Sequence, residues 1–353
     1  MIPLSVCIPV YNGRNHLKEC LDSVLSQTYK NFEVVLIDDR SSDGSFDFVR
    51  QYAAGDARFL LFQNDNNLGL AKNWNRCVEL SCGEWIKFVF QDDLIEPTCI
   101  ERMLNAADPK RGMIVCKRKI IFENISDDIK RIFNKQMAMP SIDDIFKGKS
   151  DIDPRHFCKV ALDNLGRNFI GEPTSVMLHR RVFESLGMFN PGFTQLCDFE
   201  FWVRVGSNFG MKYVSDVLAA FRVHPNNATL INQNKYAFKS NTIDFLLLYH
   251  EFLYNSHFEN LRTETVNRKL KINLKILLSL ENIRAHSIAK MIDKLSSESA
   301  ATHAKELRLF FRDYPKANSA STHLWSIILG PLVRYRRVLM FMYRHFFARL
   351  PHK

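Results

Sequence analysis

An alternation of two periodicities over the first hundred residues constrains this chain most. Short apolar runs of strand character, at 4–10, 33–37, 59–62 and 85–90, are separated by segments whose apolar residues fall at helical spacing. Leu17, Cys20, Leu21, Val24 and Leu25 form one helical stripe, with Asn15 available as its N-cap. Residues 45–54 form a second helix, and Ala71, Trp74 and Val78 mark a third, closed by Gly83. Strands that alternate with helices pair through crossovers, which predicts an α/β fold with a mostly parallel sheet flanked by helices.

The strand ends are polar. The second strand runs into Asp38-Asp39, and the fourth into Gln91-Asp92-Asp93. In open α/β sheets the crevice beyond the carboxyl ends of the strands binds ligands, and paired carboxylates there can hold a hard divalent cation. That pattern points to a metal site for a phosphorylated ligand. Ordinary turn chemistry, with Asp93 capping a following helix, accounts for the same residues, so both readings stand at this point.

At 353 residues the chain exceeds one typical domain, and its 46% hydrophobic content is that of a globular protein. A formal charge of +10 would attract phosphates, nucleic acid or an anionic membrane, and does not choose among them. The eight cysteines show no CxxC pair and no zinc-ligand spacing, which argues for a reducing compartment. Met1-Ile2-Pro3 leads almost directly into a strand, leaving no room for a signal peptide, and no apolar stretch reaches the roughly 18 residues of a membrane span.

Between 109 and 153 the pattern weakens into a charged, poorly periodic stretch, expected to be a mobile loop or a small insertion. Gly171-Glu172-Pro173 precedes a short strand at 174–178 and a helix at 180–186 closed by Gly187. A helix at 198–205 and strands at 211–214 and 219–223 follow. Past residue 231 the chain reads as helical, with stripes at Ile243, Leu246, Leu247 and His250 and again at 270–277, which divides it into 1–230 and 231–353. The last segment, 324–350, mixes aromatic and aliphatic residues with Arg334, Arg336, Arg337, Arg344 and Arg349. A packed helix with snorkelling arginines is one reading. Attachment to an anionic membrane surface is preferred, because aromatics and clustered arginines suit anionic headgroups. Gly330-Pro331 and the arginines argue against spanning.

Five motifs in order carry a resemblance: SVCIPVYN (5–12), SVLSQTYKNFEVVLIDDRSSDGS (23–45), NNLGLAKNWN (66–75), GEWIKFVFQDDLIEP (83–97), and CDFEFWVRV (197–205) with FRVH (221–224). Together they resemble the family 2 glycosyltransferases of the GT-A fold, over about residues 3–230. The resemblance implies a Rossmann-like GT-A domain with a helical C-terminal extension. Its implied reaction is an inverting transfer of a sugar from a nucleotide-diphosphate donor, a UDP-sugar, to a hydroxyl of a glycan or lipid-linked glycan in cell-surface polysaccharide biosynthesis. It implies a Mn²⁺ or Mg²⁺ cofactor; the basic C-terminal segment adds the expectation of a cytoplasmic enzyme docked on the inner membrane face.

Residue by residue, the resemblance places Pro9, Tyr11 and Asn12 in the first nucleotide-contact loop and gives Asp39 the base, where a carboxylate accepts the imide N–H of uracil. Asp93 becomes the metal ligand, with Asp92 near the ribose or the metal; Gln91 in place of an acid lowers the charge of that site. Lys72 stands where an Arg often contacts the diphosphate, and Arg222 and His224 where an Arg-x-His loop closes over it. Asp198 matches the general base, although Cys197 replaces the Glu expected before it. The bland duties are a turn for Asp39, a helix cap for Asp198, a surface position for His224, packing for Trp202 and an i, i+4 pair for Glu200 and Arg204. Rival functions are a sugar nucleotidyltransferase, disfavoured because the 11–13 loop is not Gly-rich and basic, and a non-catalytic GT-A scaffold. No recognisable nucleic-acid module is present, so no nucleic-acid partner is expected. The sugar, linkage and acceptor depend on the shapes of 109–153 and 171–174.

Overall fold

The computed structural model describes residues 3–137, 142–165, 167–267, 281, 285 and 297–317. Two compact units divide the chain: residues 1–244 with 254–269, and residues 245–253 with 270–353.

The first unit is built on a nine-stranded mixed sheet. In chain order its strands are β1 (Leu4–Val10), β2 (Glu33–Asp38), β3 (Phe59–Gln63), β4 (Trp85–Phe88), β5 (Leu94–Ile95), β6 (Met113–Phe122), β7 (Asp151–Ile152), β8 (Val176–His179) and β9 (Met211–Val223). They lie in the order β3-β2-β1-β4-β8-β6-β9-β5, and β7 also pairs with β9. The longer pairings, β1 with β2, β2 with β3, β1 with β4 and β6 with β9, are all parallel. Every residue of β1, β2 and β4 is buried, as expected of central parallel strands covered on both faces. Edge strand β3 is only half-buried.

The expected helices form as α1 (Leu17–Leu25), α2 (Ser45–Tyr52) and α3 (Leu70–Leu80). Leu17, Cys20, Leu21 and Val24 of α1 are buried in one core cluster with Leu4, Val6, Ile8 and Val34. Each such aliphatic side chain contributes about 1.5–3 kcal/mol by leaving water. His16, not Asn15, occupies the N-cap, because Gly13 O already accepts from the N–H groups of His16 and Leu17.

The weakly patterned region corrects the sequence reading. Between α4 (Cys99–Asn105) and α5 (Asp127–Met137) it contributes β6, a ten-residue strand in the middle of the sheet. Its first half is buried on both faces, while Lys117, Arg118 and Lys119 pair with Asp143, Glu172 and Glu96, so no period-2 alternation survives. The two strands expected at 211–214 and 219–223 are one strand, β9, whose register against β6 shifts on either side of Lys117. The fourth strand ends at Phe88, two residues early, and Asp93 precedes β5 and caps no helix.

After α6 (Ile142–Phe146), α7 (Pro154–Asp163) begins with an Asp153 side chain accepting from His156 N–H and Pro154 in its first turn. A 3₁₀ turn, Pro173–Ser175, leads into β8, followed by α8 (Arg181–Leu186) and α9 (Cys197–Phe209). Beyond β9 come α10 (Ala228–Lys235), α11 (Asp244–Tyr254) and α12 (Glu259–Asn267).

In the second unit the 245–253 stretch buries Leu246, Leu247, Leu248 and Phe252, and α13 (Ser297–Asp313) buries Leu307 and Phe310. The helix expected at 270–277 and the basic tail at 324–350 lie outside the described residues. Among the described residues no helix is long and apolar enough to cross a membrane, and all eight cysteines are free thiols.

Candidate active site

The turn after β4 carries two carboxylates in different surroundings. Asp93 is fully buried, with Oδ2 accepting from Thr174 Oγ1 at 2.6 Å and Oδ1 from the Arg222 backbone N–H at 3.0 Å. Burial, and then the charge of Asp92, hold its pKa well above the usual carboxylate range. The Asp92 side chain keeps 15% of its surface; its Oδ2 meets His224 Nε2 at 3.0 Å, and Oδ1 has no hydrogen-bond partner among the described residues. Thr174 also ties in Lys87, a fully buried lysine whose Nζ donates to the Thr174 and Val176 carbonyls.

Arg222 and His224 come to this turn from the end of β9. The Arg222 side chain is 93% buried, and its guanidinium donates to Asp92 O (2.9 Å), Glu123 Oε2 (2.7 Å) and Glu19 Oε2 (2.5 Å). It therefore fastens the Asp92-Asp93 turn to α1 and to the end of β6. His224 packs its ring 4.5 Å from that of His16, whose Nε2 lies 3.1 Å from Glu123 Oε1. Its 8% exposure excludes the surface-histidine reading.

At the neighbouring strand ends, Pro9 is buried inside β1, one residue before its end. Tyr11 is 50% exposed, and Asn12 sits in the left-handed region (φ 49°) with Oδ1 accepting from Ser42 N–H at 2.9 Å. The Gln91 side chain pairs with the Tyr11 backbone as a strand would: Oε1 accepts from its N–H at 2.8 Å, and Nε2 donates to its carbonyl at 3.1 Å. Gly13 leaves room for this pairing, because a Cβ would lie 2.3 Å from Gln91 Oε1 and would push the Gln91 side chain aside. Asp39 is buried and takes three donors, Asn64 Nδ2 (2.8 Å), Leu68 N–H (2.8 Å) and Gly69 N–H (2.9 Å). With about four lone-pair sites on a carboxylate, one remains. Lys72 is exposed in the first turn of α3.

Asp198 lies in the first turn of α9, one residue inside it, while Leu196 holds the N-cap position. Its Oδ1 accepts from Phe199 N–H at 2.6 Å and its Oδ2 from Asn168 Nδ2 at 3.0 Å. Removal from bulk water pushes its pKa up to about 7, with the Glu172 charge adding to the rise and Arg118 opposing it. Asn168 also donates to the Gly171 carbonyl (3.1 Å), which Trp202 Nε1 reaches at 2.9 Å. Trp202 thus packs, fully buried, and also holds this loop. Glu200 and Arg204 do form a buried i, i+4 pair at 2.8 Å.

The segment 168–174 therefore touches both halves of the site, Asp198 through Asn168 and Asp93 through Thr174. Sequence reasoning missed Asn168, Glu172, Thr174, Arg118, Lys87, Glu19, Glu123 and His16 in these networks. The Asp153-Pro154 helix start was a readable signal for α7; the others meet partners too distant in sequence to be anticipated. Among the described residues no three His, Cys, Asp or Glu side chains converge as a metal cage. A cation held by one or two carboxylates together with substrate phosphates is compatible with such a site.

Residues 5–186, just over half of the chain, match the family model described as glycosyl transferase family 2. An uncharacterized protein of Mycobacterium tuberculosis, MT1568, is 32% identical over 222 residues, covering 62% of this chain and 66% of the relative. The chain thus spans just under two thirds of that relative's length. Among solved structures, S. aureus TarS in complex with UDP-GlcNAc matches with a TM-score of 0.55 at 17% identity, over 79% of this chain and 80% of that one. The mannosyltransferase PcManGT of Pyrobaculum calidifontis, in complex with GDP-Man and Mn²⁺, matches with a TM-score of 0.52 at 17% identity, over 90% and 83%. These likenesses show the fold, that of GT-A glycosyltransferases. With the family model matched across the strands that lead into Asp39, Asp92 and Asp93, the chain belongs to glycosyl transferase family 2.

Proposed function

We propose that the chain moves a sugar from a UDP-sugar, with inversion at the anomeric carbon, to a hydroxyl of a glycan or lipid-linked glycan. The observation that carries this is Asp198: a carboxyl whose pKa is pushed up to about 7, tethered by the same segment that holds Asp93. A group with that pKa is half ionised near neutrality and suits general-base work. Asp198 takes the proton of the acceptor hydroxyl as its oxygen attacks the anomeric carbon. The bond from that carbon to the diphosphate breaks on the opposite side.

Asp92 would hold the divalent cation, Mn²⁺ or Mg²⁺, through Oδ1; Asp93, the ligand expected from the resemblance, has its two oxygens engaged by Thr174 and Arg222 N–H and would brace Asp92 from behind. The bound ion would neutralise charge growing on the diphosphate leaving group. The remaining lone pair of Asp39 would accept the uracil imide N–H, and exposed Tyr11 would stack on the base. Lys72 would supply an exposed cation to the phosphates, while Arg222 and His224, expected to close over the diphosphate, are engaged by Glu19, Glu123 and Asp92 and would act by holding Asp92 in place.

Donor turnover should require Mn²⁺ or Mg²⁺ and vanish in Asp198→Asn; turnover that survives this change would sink the assignment of the base. A thermal-shift screen of UDP-, GDP- and TDP-sugars with Mn²⁺ checks the nucleotide, and stabilisation by non-uridine donors alone would refute the role of Asp39. Anionic-membrane docking is part of the proposal. Deleting 324–353 is expected to release the protein from anionic liposomes, and unchanged binding would exclude that segment as the anchor.

A further inference from the structure

We propose that the Arg118–Glu172 ion pair positions the base: it clamps the 168–172 loop and so fixes the orientation of Asp198 and the local field it feels. This rests on the reading of Asp198 as the base. The sequence shows one acid at that point, because Cys197 stands where a Glu is expected, and the fold brings in a second carboxylate, Glu172, together with a cation.

Arg118 sits on β6 where its register against β9 is irregular on either side of Lys117, and irregularities of this kind re-aim side chains next to sites. The guanidinium packs against Gly171 so closely that a Cβ there would lie 2.7 Å from Arg118 Cζ, and Gly171 adopts φ 116°. Arg118 Nη2 donates to Glu172 Oε1 at 3.4 Å, and Nε faces Oε2. Neither Nε nor Oε2 has a further hydrogen-bond partner, and both atoms are buried. From the clamped Gly171 the contact passes to Asn168, which bonds the glycine carbonyl and Asp198 Oδ2 with the same amide nitrogen.

A largely buried ion pair is a poor source of net stability, so its place against the loop that holds the base points to positioning. The charged and titratable groups facing Asp198 are Glu172, which raises its proton affinity, and Arg118, which lowers it. The buried Cys197 thiol adjoins it, Asp244 lies near that thiol, and the Phe199 N–H of α9 donates to it. Glu172 and Arg118 therefore pull in opposite directions on the group they orient.

The test uses the full chain labelled with [¹³Cγ]Asp, with the Asp198 resonance identified by its loss in Asp198→Asn. Glu172→Gln is expected to lower its titration midpoint by about one unit and Arg118→Gln to raise it by about one unit. The double variant should lie between them. Arg118→Lys keeps the charge and loses the planar fork. Its midpoint is expected to hold while kcat for donor turnover falls about tenfold at unchanged donor KM. Midpoints that stay fixed in both neutral variants, or move the same way, overturn the inference even where Asp198→Asn is inactive. Transfer surviving Asp198→Asn would instead overturn the base assignment and leave the titration result readable. If Arg118→Gln does not fold, Glu172→Gln and Arg118→Lys decide the matter by the same criteria.

Discussion

Asp39 and Asp198 are both carboxylates at the ends of structural elements, held by opposite means. Asp39 is held by donors from one short loop, 64–69, two of them backbone N–H groups that no substitution removes short of proline. Asp198 is held by a single side-chain amide and its neighbour's N–H, within reach of a charge of each sign. In the proposed reaction the donor side of the site is thus set largely by backbone, and the acceptor side by balanced side chains. Changes to the first should alter affinity and stability, and changes to the second should alter proton chemistry.

The largest effect expected is that of Asp198→Asn, a loss of transfer of about 10²–10⁴-fold, measured with saturating donor. Its stability effect depends on pH. A carboxyl whose folded pKa is raised from 3.8 to about 7 keeps more protons in the folded state, so its contribution falls as pH rises between those values. Asn carries no such penalty, but its amide nitrogen cannot accept from Phe199 N–H or Asn168 as a carboxylate oxygen does, so the variant's deficit in melting temperature should shrink between pH 4 and pH 8. A deficit that stays constant over that range would mean that the charge of Asp198 is not strained.

Arg204 tests whether charge on this side is ever merely structural. It donates to the Leu186 and Met188 carbonyls and to buried Glu200, well away from Asp198's own contacts. Arg204→Ala should cost about 3–5 kcal/mol in denaturant unfolding. The midpoint of Asp198 should not move; if it does, the acceptor side is one coupled network. On the donor side, Asp39→Asn turns an acceptor into a donor facing N–H groups, for about 1–3 kcal/mol of stability and weaker UDP binding. The smallest effect is expected of Gln91→Glu, which sets an oxygen against the Tyr11 carbonyl. Loss of about 1 kcal/mol with kcat unchanged would fit a brace, whereas a gain in Mn²⁺ affinity would recast Gln91 as a withheld ligand.

The donor side was legible in the sequence because each strand there is a continuous buried run that ends in its own functional residue. Leu4–Val10 and Glu33–Asp38 announce themselves, and Asp39 follows directly. The acceptor side was legible only at Asp198, because β6 hides a central strand behind Lys117-Arg118-Lys119, whose charges are neutralised by residues 23 to 54 positions away. Glu172 reads as a turn residue beside Pro173, and only the fold sets it against Arg118. Gln91 has a duty that its place in the motif did not announce. Read as an acid gone missing, it makes two backbone bonds of opposite sense, which a carboxylate could not do.

The segment that bonds both carboxylates has a consequence for the order of events. Asn168 and Thr174 sit six residues apart on one short stretch of chain, joined to Asp198, the proposed base, at one end and to buried Asp93 at the other. A shift of that stretch to admit an acceptor alters the donor turn as well. Each substrate should then change the affinity for the other by the same factor, so that neither binding constant is a property of one substrate alone.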